Sequence, residues 1–231
     1  GAVALVVERL LPLPVPQIVT ADARAATGWF AAAAHDHPAD GLRMIGVTGT
    51  NGKTTTTQLI GAVLRHAGPA VEVIGTLSGA KTTPEATELQ RRFAALRRDG
   101  TDAVVMEVSS HALALHRIDG TTFEVAVFTN LGRDHLDLHG TVERYFAAKA
   151  RLFEPGSTRH AVVNVDDVHG RLLADSLADR LDDDRTVALT TYSLADVSDV
   201  RVTATSHTYR WRGVDVRVGL GGEFNVMNSL A

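Results

Sequence analysis

The 231-residue sequence has 45% hydrophobic residues, a formal net charge of −4 and no cysteine. This charge provides no polybasic stripe, which argues against nucleic acid or an anionic membrane as the main partner. The lack of cysteine excludes disulfides and thiolate metal sites. The sequence has no run of about 18 apolar residues and no charged-then-apolar leader, so we expect a cytoplasmic protein without a membrane span.

The first 42 residues contain two strand-like pieces, "AVALVV" and "PQIVTA". An alanine-rich helical segment follows and ends near His37 and Pro38. The chain opens directly on an apolar strand run, and it stops where "GEFNVMNSLA" begins a helix. We therefore expect a piece of a longer enzyme.

From Arg43 onward the pattern is strand, loop and helix, repeated. The apolar strand segments are "RMIGV", "AVEVIGT", "DAVVMEV", "FEVAVFTN" and "HAVVNVD". In the first helix, Leu59, Val63 and Ala67 are spaced by four residues, and in the second Leu89, Phe93 and Leu96 lie on one face. Strands that alternate with helices predict an α/β fold with a doubly wound, mostly parallel sheet.

The sequence texture changes after Arg185. The segments "TVALTTYS", "DVRVTATS", "TYRWRG" and "VDVRVGL" predict small antiparallel β hairpins at one edge of the sheet. The acidic "LDDDR" is typical of a solvated loop, and we assign it no function.

A candidate phosphate-binding loop, "GVTGTNGKTTT", lies between the first strand of this region and its helix. Five residues separate Gly46 from Gly52, one more than in the standard phosphate-loop spacing. Gly49 and Gly52 would let backbone N–H groups turn toward phosphate oxygens, and the helix N-terminus adds a positive dipole. Lys53 can reach the β- and γ-phosphates, and the Thr54 hydroxyl can ligate Mg²⁺. The alternative is an ordinary glycine turn before a helix.

One of only three lysines is directed at the core. The chain has Lys53, Lys81 and Lys149, and on a helical wheel Lys149 lies in the middle of an apolar face formed by Val142, Tyr145, Phe146, Leu152 and Phe153. An unpaired buried ammonium is costly, so a partner or a chemical role is required. A snorkelling or ion-paired lysine is the alternative.

The loop "TGTNGKTTT" resembles the ATP loop of the Mur ligases, the family that builds the peptide of bacterial peptidoglycan. Four further stretches are similar in the same order: "TTPEATELQ", "MEVSSHAL", "FTNLGRDHLDLHGT" and "YFAAKARLF". Together they are most similar to the MurE branch, which adds the third amino acid to UDP-MurNAc-L-Ala-D-Glu. The resemblance implies that residues 1–42 end an N-terminal UDP-substrate-binding domain and that residues 43–231 form a central ATP-binding domain, truncated at its end. A C-terminal amino-acid-binding domain would then be absent, so we expect poor activity from this chain alone.

The resemblance also implies an ATP site, two Mg²⁺ ions and a CO₂-derived carbamate on Lys149. Partial burial lowers the pKa of a lysine and frees its amine to react, whereas an arginine stays charged. The implied nucleotide-binding residues are Gly49, Thr50, Asn51, Gly52, Lys53, Thr54, Thr55, Asn130, Asn225 and Asn228. The implied metal ligands are Thr54, Glu107, His135 and Lys149, and catalysis is assigned to Lys53, Lys149 and His135. The residues implied to contact the muramoyl peptide are Thr82, Thr83, Ser109 and Arg117.

Several alternatives remain open at this stage. Glu107 could pair with an arginine, and His135 with His139 could form a zinc site. The chain could belong to another Mur-type ligase, such as MurF or folylpolyglutamate synthase, or to a MurT-like nucleotide-binding module without ligase activity. We expect a monomer that uses ATP, UDP-MurNAc-dipeptide and an amino acid. The sequence does not distinguish diaminopimelate from lysine as that amino acid.

Overall fold

The computed structural model describes residues 2–79, 81–179 and 187–231. The "LDDDR" stretch lies outside the described residues. Near the N-terminus, β1 (Leu5–Val7) and β2 (Gln17–Val19) pair in parallel. Helix α1 (Ala23–Ala34) follows, and the Asp22 side chain caps it by accepting from the Ala25 N–H. A 3₁₀ turn, Pro38–Gly41, then leads into the main sheet.

Six parallel strands form the main sheet, in the order β4-β5-β3-β6-β7-β8. The strands are β3 (Arg43–Thr48), β4 (Val71–Ile74), β5 (Ala103–Glu107), β6 (Phe123–Phe128), β7 (Thr158–Asn164) and β8 (Ala188–Tyr192). β3 lies in the middle with β5 and β6 on its two sides, so the strand order reverses there. Ligands bind at the carboxyl edge of such sheets, at the point of reversal.

Helices cover both faces of this sheet, which confirms the predicted doubly wound α/β class. They are α2 (Lys53–His66), α3 (Ala86–Arg98), α4 (Ser110–Ala114), α5 (Leu136–His139), α6 (Val142–Ala150) and α7 (Val168–Ala178). The larger core contains Leu89, Phe93, Phe123, Phe128 and Phe153, all at most 1% exposed. A smaller core beside α2 contains Ile45, Val73 and Val105.

A separate antiparallel sheet contains β9 (Val197–Val202), β10 (His207–Trp211) and β11 (Val214–Val218), in the order β11-β10-β9. The antiparallel expectation is confirmed for these three strands. It is wrong for "TVALTTYS", whose residues 188–192 form β8, the sixth parallel strand. The error has a physical reason: an edge strand is half exposed, so its threonines mimic the alternation of a hairpin strand. The chain ends with α8 (Phe224–Leu230).

The four-residue spacing in α2 does not mark its packed face. Val63 is 68% exposed, whereas Thr56, Thr57 and Gly61 are buried. These threonines can be buried because their hydroxyls are hydrogen-bonded. The Thr56 hydroxyl donates to the Asn228 carbonyl at 3.3 Å, and the Thr57 hydroxyl donates to the Thr54 carbonyl at 2.9 Å. Small and hydroxyl residues therefore form the packed face, and an apolar count cannot detect them.

Helix α1 packs against α3, and Gly28 of α1 lies directly against the backbone of Asp119. The N-terminal segment is thus in contact with the main sheet layer. The predicted domain boundary at residue 42 stays a prediction. In the ranges given above, no helix combines the length and apolar character that crossing a bilayer requires.

Two neighbouring leucines of α7 give a matched test of this core. Leu173 is 4% exposed and Leu172 is 54% exposed. We expect Leu173→Ala to lower the free energy of unfolding by about 2–5 kcal/mol, because it removes buried contacts and leaves a cavity. Leu172→Ala should change it by about 0.5 kcal/mol or less. Urea unfolding of both variants checks this, and equal effects would contradict the placement of α7.

Candidate active site

The glycine loop between β3 and α2 lies at the carboxyl edge of the sheet, at its point of reversal. Gly49 has φ 152° and Gly52 has φ 88°. A Cβ on Gly49 would overlap the Thr129 side chain, and one on Gly52 would overlap the Asn228 side chain. Both positions therefore require glycine. Gly46, by contrast, lies inside β3, which explains why the standard spacing fails by one residue.

The loop is held by hydrogen bonds to residues that follow β6. The Asn51 N–H donates to Asn130 Oδ1 at 2.9 Å, and Asn130 Nδ2 donates to the Asn51 carbonyl at 3.1 Å. The Thr50 hydroxyl accepts from the Gly132 N–H at 2.8 Å and lies 3.0 Å from the Tyr145 hydroxyl. Helix α2 has no acidic residue in its first turn, so its N-terminal dipole favours an anion.

Two lysines converge on one carbonyl oxygen of this loop. Lys53 Nζ donates to the Gly49 oxygen at 2.9 Å and to the Thr50 oxygen at 2.9 Å. Lys149 Nζ, from α6, donates to the same Gly49 oxygen at 2.7 Å. Lys149 is 1% exposed, and its Nζ lies 4.6 Å from the centre of the Tyr145 ring. The core-facing prediction is therefore confirmed, and a snorkelling side chain is wrong.

Burial and, to a smaller extent, the positive charge of Lys53 together lower the pKa of Lys149 to about 6. Burial also lowers the pKa of Lys53, where the charges of Glu107 and Asp134 act in the opposite direction. Near neutral pH the Lys149 amine is thus mostly uncharged and can still donate to the Gly49 oxygen. An uncharged amine is the form that reacts with CO₂.

Glu107 ends β5 and is 1% exposed. Its Oε1 accepts from the Thr54 hydroxyl at 3.0 Å and from the Thr76 N–H at 2.8 Å, and its Oε2 accepts from the Thr76 hydroxyl at 3.3 Å. These contacts are with hydroxyls and an amide, unlike the arginine pair considered above. The oxygens of Thr54 and Glu107 lie side by side, and hard oxygen donors suit Mg²⁺.

His135 is the N-cap residue that precedes α5; its φ is 52° and its side chain is 43% exposed. The His111 ring lies 4.8 Å from His135 and 6.0 Å from His139, measured between ring centres. Among the described residues, no group of three or more His, Cys, Asp or Glu side chains could hold a metal ion. Since zinc needs three or four protein ligands, the His135–His139 alternative is not supported. His139 Nε2 is buried and has no hydrogen-bond partner among the residues that the structure describes. The centre of the His139 ring lies 5.1 Å from the centre of the Tyr145 ring.

The four residues implied to contact the muramoyl peptide lie close to the end of β5. The Thr83 hydroxyl donates to the Glu107 carbonyl at 2.9 Å and lies 3.3 Å from the Ser109 hydroxyl. Arg117 pairs with Glu85 at 2.9 Å and donates to the Thr83 carbonyl at 3.2 Å. Arg117 also borders a cavity of 470 Å³ between α1 and the main sheet layer.

A second cavity of 590 Å³ opens beside the glycine loop. Half of its wall was anticipated: Asn51, Gly52, Thr55, Asn130 and Asn228. The other half was not: Thr129, Asn164, Tyr192, Phe224 and Met227. Several of these lie at or just after the carboxyl ends of β6, β7 and β8, so the rule that ligands bind at strand ends could have found them.

Asn225 is placed behind this cavity wall, where its Oδ1 accepts from Asn228 Nδ2 at 3.0 Å. The small sheet anchors the same helix, since His207 of β10 lies 2.9 Å from the Ser229 hydroxyl. The second nitrogen of His207 donates to the Leu220 carbonyl at 2.6 Å. The antiparallel sheet thus fixes α8 against the glycine loop.

Comparison with known proteins shows the family to which this chain belongs. Residues 47–231 match the family described as the Mur ligase middle domain. The chain belongs to the Mur ligase family. The UDP-N-acetylmuramoyl-L-alanyl-D-glutamate–2,6-diaminopimelate ligase of Streptomyces coelicolor is 42% identical over 97% of this Mur-family chain and 47% of its own length.

Two solved structures extend the comparison. A ligase of the same description has a TM-score of 0.85 and 34% identity, covering 100% of this chain and 50% of that one. MurF from Acinetobacter baumannii has a TM-score of 0.68 and 22% identity over 96% of this chain and 48% of its own, which indicates a shared fold alone. The Mur-family chain therefore spans about half the length of the relatives it matches.

The lowered pKa of Lys149 predicts a pH-dependent stability. The folded pKa is about 6 and the ordinary value is 10.5, so between pH 7 and 9 the Lys149 amine binds nearly one more proton in the unfolded chain than in the folded chain. The free energy of unfolding should therefore rise with pH, relative to Lys149→Met, by up to about 1.4 kcal/mol per pH unit.

Urea unfolding in CO₂-depleted buffer checks this difference. Lys81→Met is the control, because Lys81 is half exposed and pairs with Glu85 at the surface. In Lys81→Met the free energy of unfolding should change with pH as steeply as in the wild type. The same slope in Lys149→Met as in the wild type would contradict a mostly neutral Lys149.

Proposed function

We propose that this chain carries the ATP-dependent activating site of a MurE-type ligase. In this reaction the γ-phosphoryl group of ATP passes to the terminal carboxylate of UDP-MurNAc-L-Ala-D-Glu and gives an acyl phosphate and ADP. The amine of the incoming amino acid attacks the acyl carbon, an amide forms and phosphate leaves. The observation that carries the proposal is the convergence of Lys53 and Lys149 on the Gly49 carbonyl, beside the Thr54–Glu107 pair.

The loop residues supply the nucleotide contacts in this proposal. Backbone N–H groups of residues 49–54 and the α2 dipole would hold the phosphates. Lys53 would leave the loop carbonyls and donate to the β- and γ-phosphates. The 590 Å³ cavity bordered by Tyr192, Phe224 and Asn228 would receive the nucleoside, because it is large enough and part of its wall is apolar.

Thr54 and Glu107 would hold a magnesium ion, since both offer oxygen atoms at one strand end. When bound, Mg²⁺ neutralises phosphate charge and so permits approach of an anionic acceptor. His135 is the proposed ligand for a second ion. Its half-exposed ring lies 6.1 Å from Tyr145, the residue that packs against Lys149.

Lys149 fits a carbamate because its amine is buried and its pKa is lowered. The Nε2 of His139 is buried, has no hydrogen-bond partner among the described residues and belongs to a ring close to Tyr145, so it offers a polar atom on the same side. Burial disfavours a positive charge on the Lys149 amine, and carbamate formation would give this side chain a negative charge suited to orient a metal ion. Arginine could not serve at this position, since it remains charged.

The acceptor side is assigned to Thr82, Thr83, Ser109 and Arg117. Hydroxyls and a guanidinium suit a phosphorylated, carboxylate-bearing sugar peptide. The proposed incoming amino acid is 2,6-diaminopimelate, because the names of the similar ligases specify it. Diaminopimelate is therefore the first amine to test, with lysine as the comparison. The cytoplasmic location and the monomeric state stay predictions.

Nucleotide binding tests this proposal directly. Isothermal titration of the 231-residue chain with the ATP analogue AMPPNP and Mg²⁺ should give one site. Lys53→Ala should weaken binding at least about tenfold, because charge-assisted contacts to phosphate are lost. Lys81→Ala should leave the affinity unchanged. A wild-type chain that binds no AMPPNP, or binds it equally well without Lys53, would refute the proposed site.

A further inference from the structure

Thr76 lies in the loop after β4 and contacts Glu107 through two groups. Its N–H donates to Glu107 Oε1 at 2.8 Å and its hydroxyl lies 3.3 Å from Oε2. The same hydroxyl lies 3.1 Å from the hydroxyl of Thr82. One side chain therefore touches both a candidate metal ligand and a residue of the acceptor side.

The direction of these hydrogen bonds follows from the donor inventory. A carboxylate only accepts, so the single proton of the Thr76 hydroxyl goes to Glu107. The Thr76 oxygen must then accept the proton of Thr82. On the other side, Thr54 donates to Glu107 at 3.0 Å. The result is one chain that runs from Thr82 through Thr76 and Glu107 to Thr54.

The loop is built to hold Thr76 in this position. The Ser78 hydroxyl accepts from the Gly75 N–H at 2.8 Å and donates to the Gly75 carbonyl at 3.0 Å. A Cβ on Gly75 would overlap the Glu107 carboxylate, so the carboxylate is packed against the loop backbone itself. Glu107 is 1% exposed, which means that its orientation depends on these donors and not on water.

We propose that Thr76 is a positioning residue that orients the Glu107 carboxylate toward the metal position beside Thr54 and couples it to Thr82 on the acceptor side. This inference rests on the proposed function. As a consequence, removing or engaging the Thr82 hydroxyl should change Mg²⁺-dependent nucleotide binding, although the nucleotide does not touch Thr82.

The test uses Thr76→Val, which keeps the shape and the backbone N–H but removes the hydroxyl, and Thr76→Ser, which keeps the hydroxyl. AMPPNP affinity is measured by calorimetry across a range of Mg²⁺ concentrations and again in EDTA. Thr76→Val should weaken Mg²⁺-dependent binding by about tenfold, because a buried carboxylate loses a donor. Binding in EDTA should not change, and Thr76→Ser should stay within about twofold of the wild type.

The coupling to Thr82 is tested by a double-mutant cycle. Thr82→Val should weaken Mg²⁺-dependent binding about two- to threefold alone and should add nothing in the Thr76→Val background. Thermal unfolding without nucleotide or metal provides a second readout. Thr76→Val should unfold at a lower temperature than Thr76→Ser, since the carboxylate loses its donor even in the free chain.

The outcomes separate this inference from the proposed function. If the wild-type chain binds AMPPNP with Mg²⁺ and Thr76→Val binds it equally well, the positioning role is wrong and the proposed function stands. If Thr76→Ser is as impaired as Thr76→Val, the hydroxyl is not responsible and the inference is likewise overturned. If the wild-type chain binds no nucleotide, the proposed function fails and this inference fails with it.

Discussion

The site depends on two amino groups that share the Gly49 carbonyl oxygen. The Nζ atoms of Lys53 and Lys149 lie 2.9 and 2.7 Å from this oxygen. Two positive charges so close together in a buried place would cost much free energy, because burial and like-charge repulsion both disfavour the charged form. Lys149 is the more deeply buried, so it is the one that gives up its proton, with a pKa of about 6. This constraint explains why a lysine occupies the core-facing position of α6 and why its amine is free to react.

The remainder of the fold holds this pair in place. Gly49 must lack a Cβ because the Thr129 side chain occupies that space, and Asn130 pins the loop by two hydrogen bonds to Asn51. Tyr145 packs against Lys149 and contacts Thr50. The small antiparallel sheet contacts α8, and α8 forms part of the wall of the 590 Å³ cavity beside the glycine loop. Each strand end of the parallel sheet contributes one part of the site.

Local patterns predicted the parts that depend on local chemistry. The parallel α/β fold, the glycine loop and the burial of Lys149 followed from strand–helix alternation, from the two glycines before Lys53 and from the helical period. The inner face of α2 was missed because it is made of threonines and a glycine, and β8 was mistaken for a hairpin strand because it lies at an edge. Thr76 carries no local signal beyond its place after a strand, since its partners Glu107 and Thr82 are joined to it only by the fold. Contacts between separate strand ends are set by tertiary packing, which periodicity does not encode.

The central claim is that Lys149 is neutral enough near pH 7 to carry a carbamate. Carbon-13 NMR of the chain in ¹³C-bicarbonate tests it most directly, with Lys149→Met and Lys81→Met as matched variants. The account predicts a lysine carbamate resonance at pH 7–8 that is present in the wild type and in Lys81→Met and absent from Lys149→Met. A resonance that persists in Lys149→Met, or a wild-type chain that forms none, would contradict it.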